Sequence, residues 1–161
     1  MKNLFIIILF IVGCSTDNIE RNIPKFDSNR AFQHLVDQCD FGPRNPGSNG
    51  HKEFGNYLEE YLNLLSSELI TQEFSYLEHL TNIERDGKNF IARFNLESED
   101  RLLIGAHWDT RSFSDEDPDK EKQSMPVLGA NDGASGTAVL MELATIFSKN
   151  EPPIGIDLVF F

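Results

Sequence analysis

Hydrophobic residues recur at helical spacing in three segments of the chain. In the first segment they follow the polar pair Asp27-Ser28, which offers an N-cap. These positions are Ala31, Phe32, Leu35, Val36 and Cys39. The second segment covers residues 54–65, and the third covers residues 138–147 and stops before Pro152-Pro153. We therefore predict three amphipathic helices, with the stripe of the second in the core and Cys39 as a core thiol on the first.

Four other segments have the pattern of strands. Alternating apolar and polar residues over 69–76 and 89–94 predict two half-buried strands. Residues 102–106 form a continuous apolar run, which is typical of a strand covered on both faces, and residues 156–161, apolar except for Asp157, are predicted to be a second fully buried strand. Helices and strands alternate, so the sequence predicts an α/β fold. Because a polar loop and a covering helix would ordinarily follow the last strand, we expect the chain to be truncated at Phe161.

The first residues have the pattern of an export signal. An apolar run over residues 4–12 is too short to span a bilayer but suits the hydrophobic region of a secretory signal. Residues 11–14 (IVGC) resemble a bacterial lipobox, so we predict a lipoprotein signal peptide over 1–13 and lipidation of Cys14. An ordinary signal peptide with an incidental cysteine is the alternative. The lipobox implies anchorage to a membrane of the bacterial cell envelope, outside the cytoplasm.

The polar, aperiodic residues 14–25 are predicted to be a spacer, which leaves 26–161 as the folded domain. The chain has 26 acidic and 14 basic residues, a net charge of −12. That charge repels phosphate backbones and no basic run interrupts it, so we expect no nucleic-acid partner. Two cysteines exclude a disulfide scaffold.

Candidate metal ligands stand at the ends of predicted elements. His107 and Asp109 follow the strand at 102–106, and Asp132 precedes the helix at 138–147. An imidazole and two carboxylates in such loops are donors that zinc accepts. The alternative is a hydrogen-bonded surface pair of His107 with Asp109, and Asp132 as a helix N-cap.

The remaining candidates have simpler interpretations. Trp108 is interpreted as packing, although it could also lie under a site. The acidic segment 114–122 is interpreted as a solvated insertion, and Ser135 as part of a helix start rather than a nucleophile. The other histidines have no ligand spacing and are interpreted as surface or helix residues: His34, His51 and His79.

Three motifs and a terminal strand together carry a family resemblance. They are residues 42–48 (GPRNPGS), 104–111 (IGAHWDTR), 129–136 (GANDGASG) and 157–161 (DLVFF). In this order they resemble the N-terminal portion of the zinc-dependent glutaminyl cyclases and their zinc aminopeptidase relatives. The resemblance implies a zinc cofactor and a mixed, largely parallel sheet flanked by helices, and the loop at 42–48 favours the cyclase branch.

The resemblance also implies roles for single residues. Asp132 would bind zinc, and His107 would bind a second metal in an aminopeptidase or stand beside the zinc in a cyclase. Asp109 would orient His107. A cis peptide is implied after Asp132, where Gly133 would ease the turn. The general acid/base and the other ligands are implied to follow Phe161, so we expect no catalytic residue and little or no activity in this chain alone.

The implied reaction closes the N-terminal glutamine of a peptide substrate to pyroglutamate with loss of ammonia. Zinc would polarise the side-chain amide carbonyl while a carboxylate transfers a proton. Two alternatives remain open: a zinc aminopeptidase that removes N-terminal residues, and a non-catalytic peptide-binding lipoprotein. One scaffold can serve all three functions, so the motifs do not choose between them.

Overall fold

The computed structural model describes residues 23–79 and 81–161. The predicted signal peptide, Cys14 and most of the predicted spacer lie outside the described residues. Over the described part of the chain, every helix is too short or too polar to cross a membrane.

The described residues form three helices and four strands in the predicted order. They are α1 (Ser28–Asp40), α2 (Asn49–Leu65), β1 (Glu68–Glu78), β2 (Ile83–Phe94), β3 (Arg101–Ala106), α3 (Ala134–Lys149) and β4 (Gly155–Phe160). Asp27 is the N-cap of α1, as predicted. Helix α2 begins five residues before its apolar stripe, because the Ser48 hydroxyl accepts a hydrogen bond from the His51 N–H and caps the helix there.

The strands form one mixed sheet in the order β1-β2-β4-β3. The mixed α/β architecture is confirmed, but the sheet is not largely parallel over the described residues, since only the β3–β4 pairing is parallel. The reason lies in the connections. Only residues 79–82 separate β1 from β2, which permits an antiparallel hairpin, whereas the segment between β3 and β4 contains α3 and can cross over.

The hydrophobic core lies between the sheet and helices α2 and α3. The predicted stripe of α2 supplies Phe54, Leu58 and Leu62, each with no exposed surface. The sheet and α3 complete the core with Phe90, Ala92, Leu158, Phe160, Leu140, Met141 and Ala144. Each large side chain buried in this way contributes about 1.5–3 kcal/mol. The core therefore holds β3 and α3, the two elements next to the predicted metal ligands, on one frame.

Strand β3 is not covered on both faces, in contrast to the prediction. It lies at one edge of the described sheet, where Leu102 is 49% exposed and Leu103 is 66% exposed. Strand β4 carried the same prediction of full burial but lies between β2 and β3, and four of its six residues are buried. The burial of the two strands therefore differs with their position in the described sheet.

Helix α1 buries a different face from the one predicted. Its buried residues are Ala31, His34 and Gln38, while Phe32 is 66% exposed and Cys39 is half-buried rather than in the core. The polar face is partly satisfied: the Gln38 amide donates to the Ala134 carbonyl oxygen, and His34 Nε2 lies 3.2 Å from the Tyr61 hydroxyl. Gln38 Oε1 and His34 Nδ1 are buried without a hydrogen-bond partner among the described residues. His34 is thus a helix residue, but a buried one.

Asp157 joins the three strands at the amino-terminal half of β4. Its carboxylate accepts hydrogen bonds from Arg101 on β3, at 2.7 and 3.0 Å, and from Arg93 on β2, at 3.1 Å. The bonds from Arg101, and then those from Arg93, outweigh the effect of burial and hold the pKa of Asp157 below its usual value of 3.8.

Two leucines of α2, one buried and one exposed, allow a test of how much the core contributes to the free energy of unfolding. Leu62→Ala should lower the free energy of unfolding by about 2–5 kcal/mol, because Leu62 is fully buried. Leu64→Ala is the matched control: Leu64 is 83% exposed, and the change should stay within about 0.5 kcal/mol. Urea unfolding measures both, and equal losses would contradict this core assignment.

The depressed pKa of Asp157 predicts acid-sensitive stability. Its contribution is present above its unfolded pKa of 3.8 and is lost as pH falls through the lower folded value. Asp157→Asn should therefore flatten the decline of unfolding free energy between about pH 5 and pH 2. The same change at the exposed Asp100 is the control. An unchanged slope in Asp157→Asn would show that the arginine pair does not bind the charged form.

Candidate metal centre

The predicted ligands meet at the carboxyl end of β3. His107 directly follows β3, and Asp132 lies two residues before α3. Because α3 is the crossover between the parallel strands β3 and β4, the end of β3 and the start of α3 lie at the same edge of the sheet. The fold thus brings together residues that are 25 positions apart in the sequence.

His107 is held between two carboxylates. Its Nε2 lies 2.9 Å from Asp132 Oδ1, and its Nδ1 lies 3.1 Å from Asp109 Oδ1. The side chains of His107 and Asp109 are about 40% exposed and that of Asp132 is 71% exposed. They open onto a cavity of about 120 Å³ whose lining is His107, Asp109, Thr110, Arg111, Val127 and Asp132. All three predicted residues are therefore within reach of a solute.

The carboxylates of Asp109 and Asp132 favour a positive charge on the His107 imidazole. Burial lowers the pKa of His107, but the hydrogen bonds and charges of Asp109 and then Asp132 outweigh it, so the pKa lies above 6.5. A metal bound at Nε2 takes the place of that proton, because the imidazole must be neutral to ligate. The same two carboxylates would then favour the cation.

The donors fit part of a zinc site. Two atoms bound to one tetrahedral zinc at the usual distances lie about 3.3 Å apart, close to the 2.9 Å between His107 Nε2 and Asp132 Oδ1. Asp109 at Nδ1 supplies the carboxylate that metal-binding histidines commonly have behind them. Among residues 23–79 and 81–161, no group of three or more His, Cys, Asp or Glu side chains is placed to hold a metal ion. The described residues thus place two donor atoms, His107 Nε2 and Asp132 Oδ1, at a spacing close to that of two ligands of one such site.

The start of α3 decides between two interpretations of Asp132. The N-cap of α3 is Gly133, and no side chain caps the helix. Asp132 is therefore not an N-cap, and its carboxylate instead faces His107. The implied cis peptide after Asp132 is wrong for the described residues, all of whose peptide bonds are trans. The chain enters α3 through a φ of +95° at Gly133, which a residue without a Cβ adopts readily.

Gly133 also sets how closely the two loops approach. A Cβ at this position would lie 2.8 Å from the Asp109 carbonyl oxygen and 3.1 Å from His107 Cε1. On the next turn of α3, the Thr137 hydroxyl donates to the His107 carbonyl oxygen at 2.9 Å. The absent side chain at Gly133 and the hydroxyl of Thr137 together fix His107 against α3.

Trp108 points away from the ligands and into the core, as its interpretation as packing predicts. It is 2% exposed, its Nε1 donates to the Lys88 carbonyl oxygen at 3.0 Å, and its ring stacks on His51 at 4.3 Å between centroids. His51 is half-buried in α2 by this contact rather than free at the surface. The tryptophan thereby attaches the loop after β3 to α2 and β2.

Arg44 is a buried residue beside the candidate ligand loops that the sequence analysis did not single out. It lies in the loop at 42–48, has no exposed surface, and its guanidinium donates to the carbonyl oxygens of Trp108, Gln38, Gly42 and Gly129 at 3.0–3.3 Å. The available signal was its position as the only charged residue of a motif with two glycines and two prolines. Such a motif is normally exposed, so a buried cation is not expected there from local pattern.

Comparisons with known proteins identify chains of similar sequence and fold. Residues 89–161 match the model of Peptidase family M28. Three solved structures are each 37% identical to this chain, with a TM-score of 0.82, and each comparison covers 86% of it. They are Bacteroides thetaiotaomicron glutaminyl cyclase bound to N-acetylhistamine, a leucine aminopeptidase precursor from Bacteroides thetaiotaomicron VPI-5482, and a Zn-dependent exopeptidase from Parabacteroides distasonis ATCC 8503.

The predicted family resemblance is confirmed. The fold is that of bacterial glutaminyl cyclases and Zn-dependent exopeptidases. The chain spans about half the length of the solved structures it matches, 47% of the cyclase and 48% of the aminopeptidase precursor. A cyclase and two peptidases match equally well, so the likeness of fold does not choose the reaction.

Two glycine substitutions should reveal how tightly the site is packed. Gly42→Ala places a side chain at a φ of +79° with no atom within 4 Å of the new Cβ, so only backbone strain of about 1–2 kcal/mol is expected. Gly133→Ala adds the clash with Asp109 and His107 and should lower the unfolding free energy further. NMR should show displaced His107 imidazole resonances in Gly133→Ala alone. Equal effects of the two variants would contradict the close approach.

Proposed function

We propose that the full-length protein is a zinc-dependent glutaminyl-peptide cyclotransferase. The α-amine of an N-terminal glutamine attacks its own side-chain amide carbon, the bond to the amide nitrogen breaks, and ammonia leaves. One proton passes from the amine to the leaving nitrogen, so no water is consumed. The observation that carries the proposal is His107, held between Asp109 and Asp132 at the carboxyl edge of β3 in a fold shared with glutaminyl cyclases.

Each residue of this group has a distinct part in the proposal. Asp132 Oδ1 would hold the zinc ion directly, since it is the most exposed of the donors and is not used as a helix cap. His107 Nε2 would ligate or flank the same ion. Asp109 would keep the imidazole in the tautomer that directs Nε2 toward the metal. When bound, zinc would polarise the substrate carbonyl. We assign the proton transfer to a carboxylate of the full-length protein that is not among residues 1–161.

The proposed substrate comes from the resemblance to glutaminyl cyclases, and the proposed location comes from the first residues of the sequence. A peptide with an N-terminal glutamine is the proposed partner, and the net charge of −12 argues against nucleic acid. We also propose that Cys14 carries a lipid, which would tether the enzyme to a membrane of the bacterial cell envelope outside the cytoplasm. The resemblance of residues 11–14 to a lipobox supports this.

A zinc aminopeptidase is the second candidate function. It is supported by the equal similarity to a leucine aminopeptidase precursor and a Zn-dependent exopeptidase. His107 Nε2 and Asp132 Oδ1 are close enough to share a metal, which suits a site where an aspartate bridges two ions. Zinc content separates the candidates: one ion per chain is expected of the cyclase and two of the aminopeptidase.

The full-length protein should cyclise a glutamine-initiated peptide, lose this activity with a chelator and regain it with zinc. Asp132→Asn should lower kcat/KM by more than about 100-fold, and Asp109→Asn by about 10–100-fold, the usual loss for a group behind a metal ligand. Asp100 is an exposed residue just before β3, so Asp100→Asn is the control and should leave kcat/KM unchanged. Ammonia release and mass spectrometry of the peptide measure the reaction.

The other outcomes are equally informative. Removal of the N-terminal residue without cyclisation would establish the aminopeptidase. Peptide binding without either reaction would indicate a non-catalytic lipoprotein. Full activity in Asp132→Asn would refute the metal site itself, whichever reaction the protein performs.

A further inference from the structure

Arg44 lies where the loop at 42–48 meets the two loops that carry the candidate metal ligands. Its Nε donates to the Trp108 carbonyl oxygen at 3.2 Å, and its Nη2 donates to the Gly129 carbonyl oxygen at 3.3 Å. Trp108 is the residue after His107, and Gly129 lies three residues before Asp132. One planar, fully buried group therefore connects the backbone beside both ligands.

The guanidinium is itself fixed from the other side. Nη1 donates to the carbonyl oxygens of Gln38, at 3.0 Å, and Gly42, at 3.2 Å, which ties it to the end of α1. The main chain of Arg44 is also paired: its N–H donates to the Thr110 hydroxyl at 2.9 Å, and the Thr110 N–H donates to its carbonyl oxygen at 3.3 Å. The segment from His107 to Thr110 thus cannot shift without breaking bonds to Arg44.

Arg44 connects segments of the backbone through hydrogen bonds and is not part of an ion pair. Among the described residues, no carboxylate lies close enough to form a salt bridge with it, and backbone carbonyl oxygens accept all the hydrogen bonds of its side chain. Burial lowers the pKa of Arg44, and the negative charge of Asp109 opposes this. A buried cation without partners is unfavourable, but four carbonyl oxygens and the Phe54 ring, whose centroid lies 5.8 Å from Arg44 Cζ, compensate this one.

We propose that Arg44 is the positioning residue that holds His107 Nε2 and Asp132 Oδ1 at metal-binding distance and so sets zinc affinity. This inference rests on the proposed zinc site. The guanidinium group spans the two loops, because Nε binds the loop after β3 and Nη2 binds the loop before α3. The hydrogen bond from Nη1 to the Gln38 carbonyl oxygen at the end of α1 fixes the plane of the group. A lysine ammonium keeps the charge but is a single point without that planar group, so it cannot hold both carbonyl groups at the same separation.

The test compares Arg44→Lys with Arg30→Lys in the full-length protein. Arg30 donates to the buried Glu142 through Nε and Nη2, at 2.6 and 2.7 Å, and joins α1 to α3 away from the ligands. Both variants should lower the urea midpoint. Only Arg44→Lys should weaken zinc binding, by about 10–100-fold, measured by competition with a chromophoric chelator. Zinc affinity that is unchanged in Arg44→Lys, or reduced equally in Arg30→Lys, would overturn the proposal.

Milder variants and a metal-free measurement keep the proposal testable if Arg44→Lys does not fold. Thr110→Val removes the hydroxyl that accepts a hydrogen bond from the Arg44 N–H, so it should weaken zinc binding several-fold. Thr110→Ser keeps the hydroxyl and should bind zinc as the wild-type protein does. In the metal-free protein, Arg44→Lys or Thr110→Val should shift the His107 imidazole NMR resonances, because the contact with Asp132 loosens. Should the wild-type protein bind no zinc, the proposed function fails, while these resonances still report whether Arg44 positions the pair. Unshifted resonances would overturn the positioning role.

Discussion

The loops at the carboxyl edge of β3 share one physical problem, which is how to satisfy backbone carbonyl groups that neither a helix nor a strand can reach. Each such group buried without a partner costs about 1–3 kcal/mol. The Arg44 guanidinium meets this need for four carbonyl groups at once, from α1, from its own loop and from both ligand loops. No other side chain offers five donors in one rigid plane. The packing of these loops, and so the direction of His107 and Asp132, depends on this buried cation.

The candidate metal centre itself has a different character, because its charges face solvent. His107 lies between two carboxylates that are each at least 40% exposed, which leaves all three side chains accessible to a solute. The rigid part lies behind it: Gly133 permits the close approach of the loops, and Thr137 holds the backbone of His107. An accessible set of donors on a fixed frame is what metal chemistry requires. The described residues supply two donors of the four that a tetrahedral zinc ion takes.

Local pattern was sufficient for most of the fold and for the candidate ligands. The pattern of apolar and polar residues located the three helices and four strands of residues 23–79 and 81–161, and the ends of those elements placed His107, Asp109 and Asp132 in loops. The same reasoning failed for α1, where a polar face is buried and Phe32 is exposed, and for β3, which lies at a sheet edge. In both cases the pattern shows how apolar a segment is, but it does not show which other segments will pack against it.

Which residues form helices or strands, and which side chains are able to bind a metal, can be inferred from local sequence because both follow from the chemistry of neighbouring residues. That Asp132 faces His107 instead of capping α3 depends on the crossover, which brings Asp132 Oδ1 within 2.9 Å of His107 Nε2. The tertiary structure also decides the role of Arg44. A buried cation is tolerable only where several carbonyl groups converge, and convergence among distant segments has no signature in the local sequence.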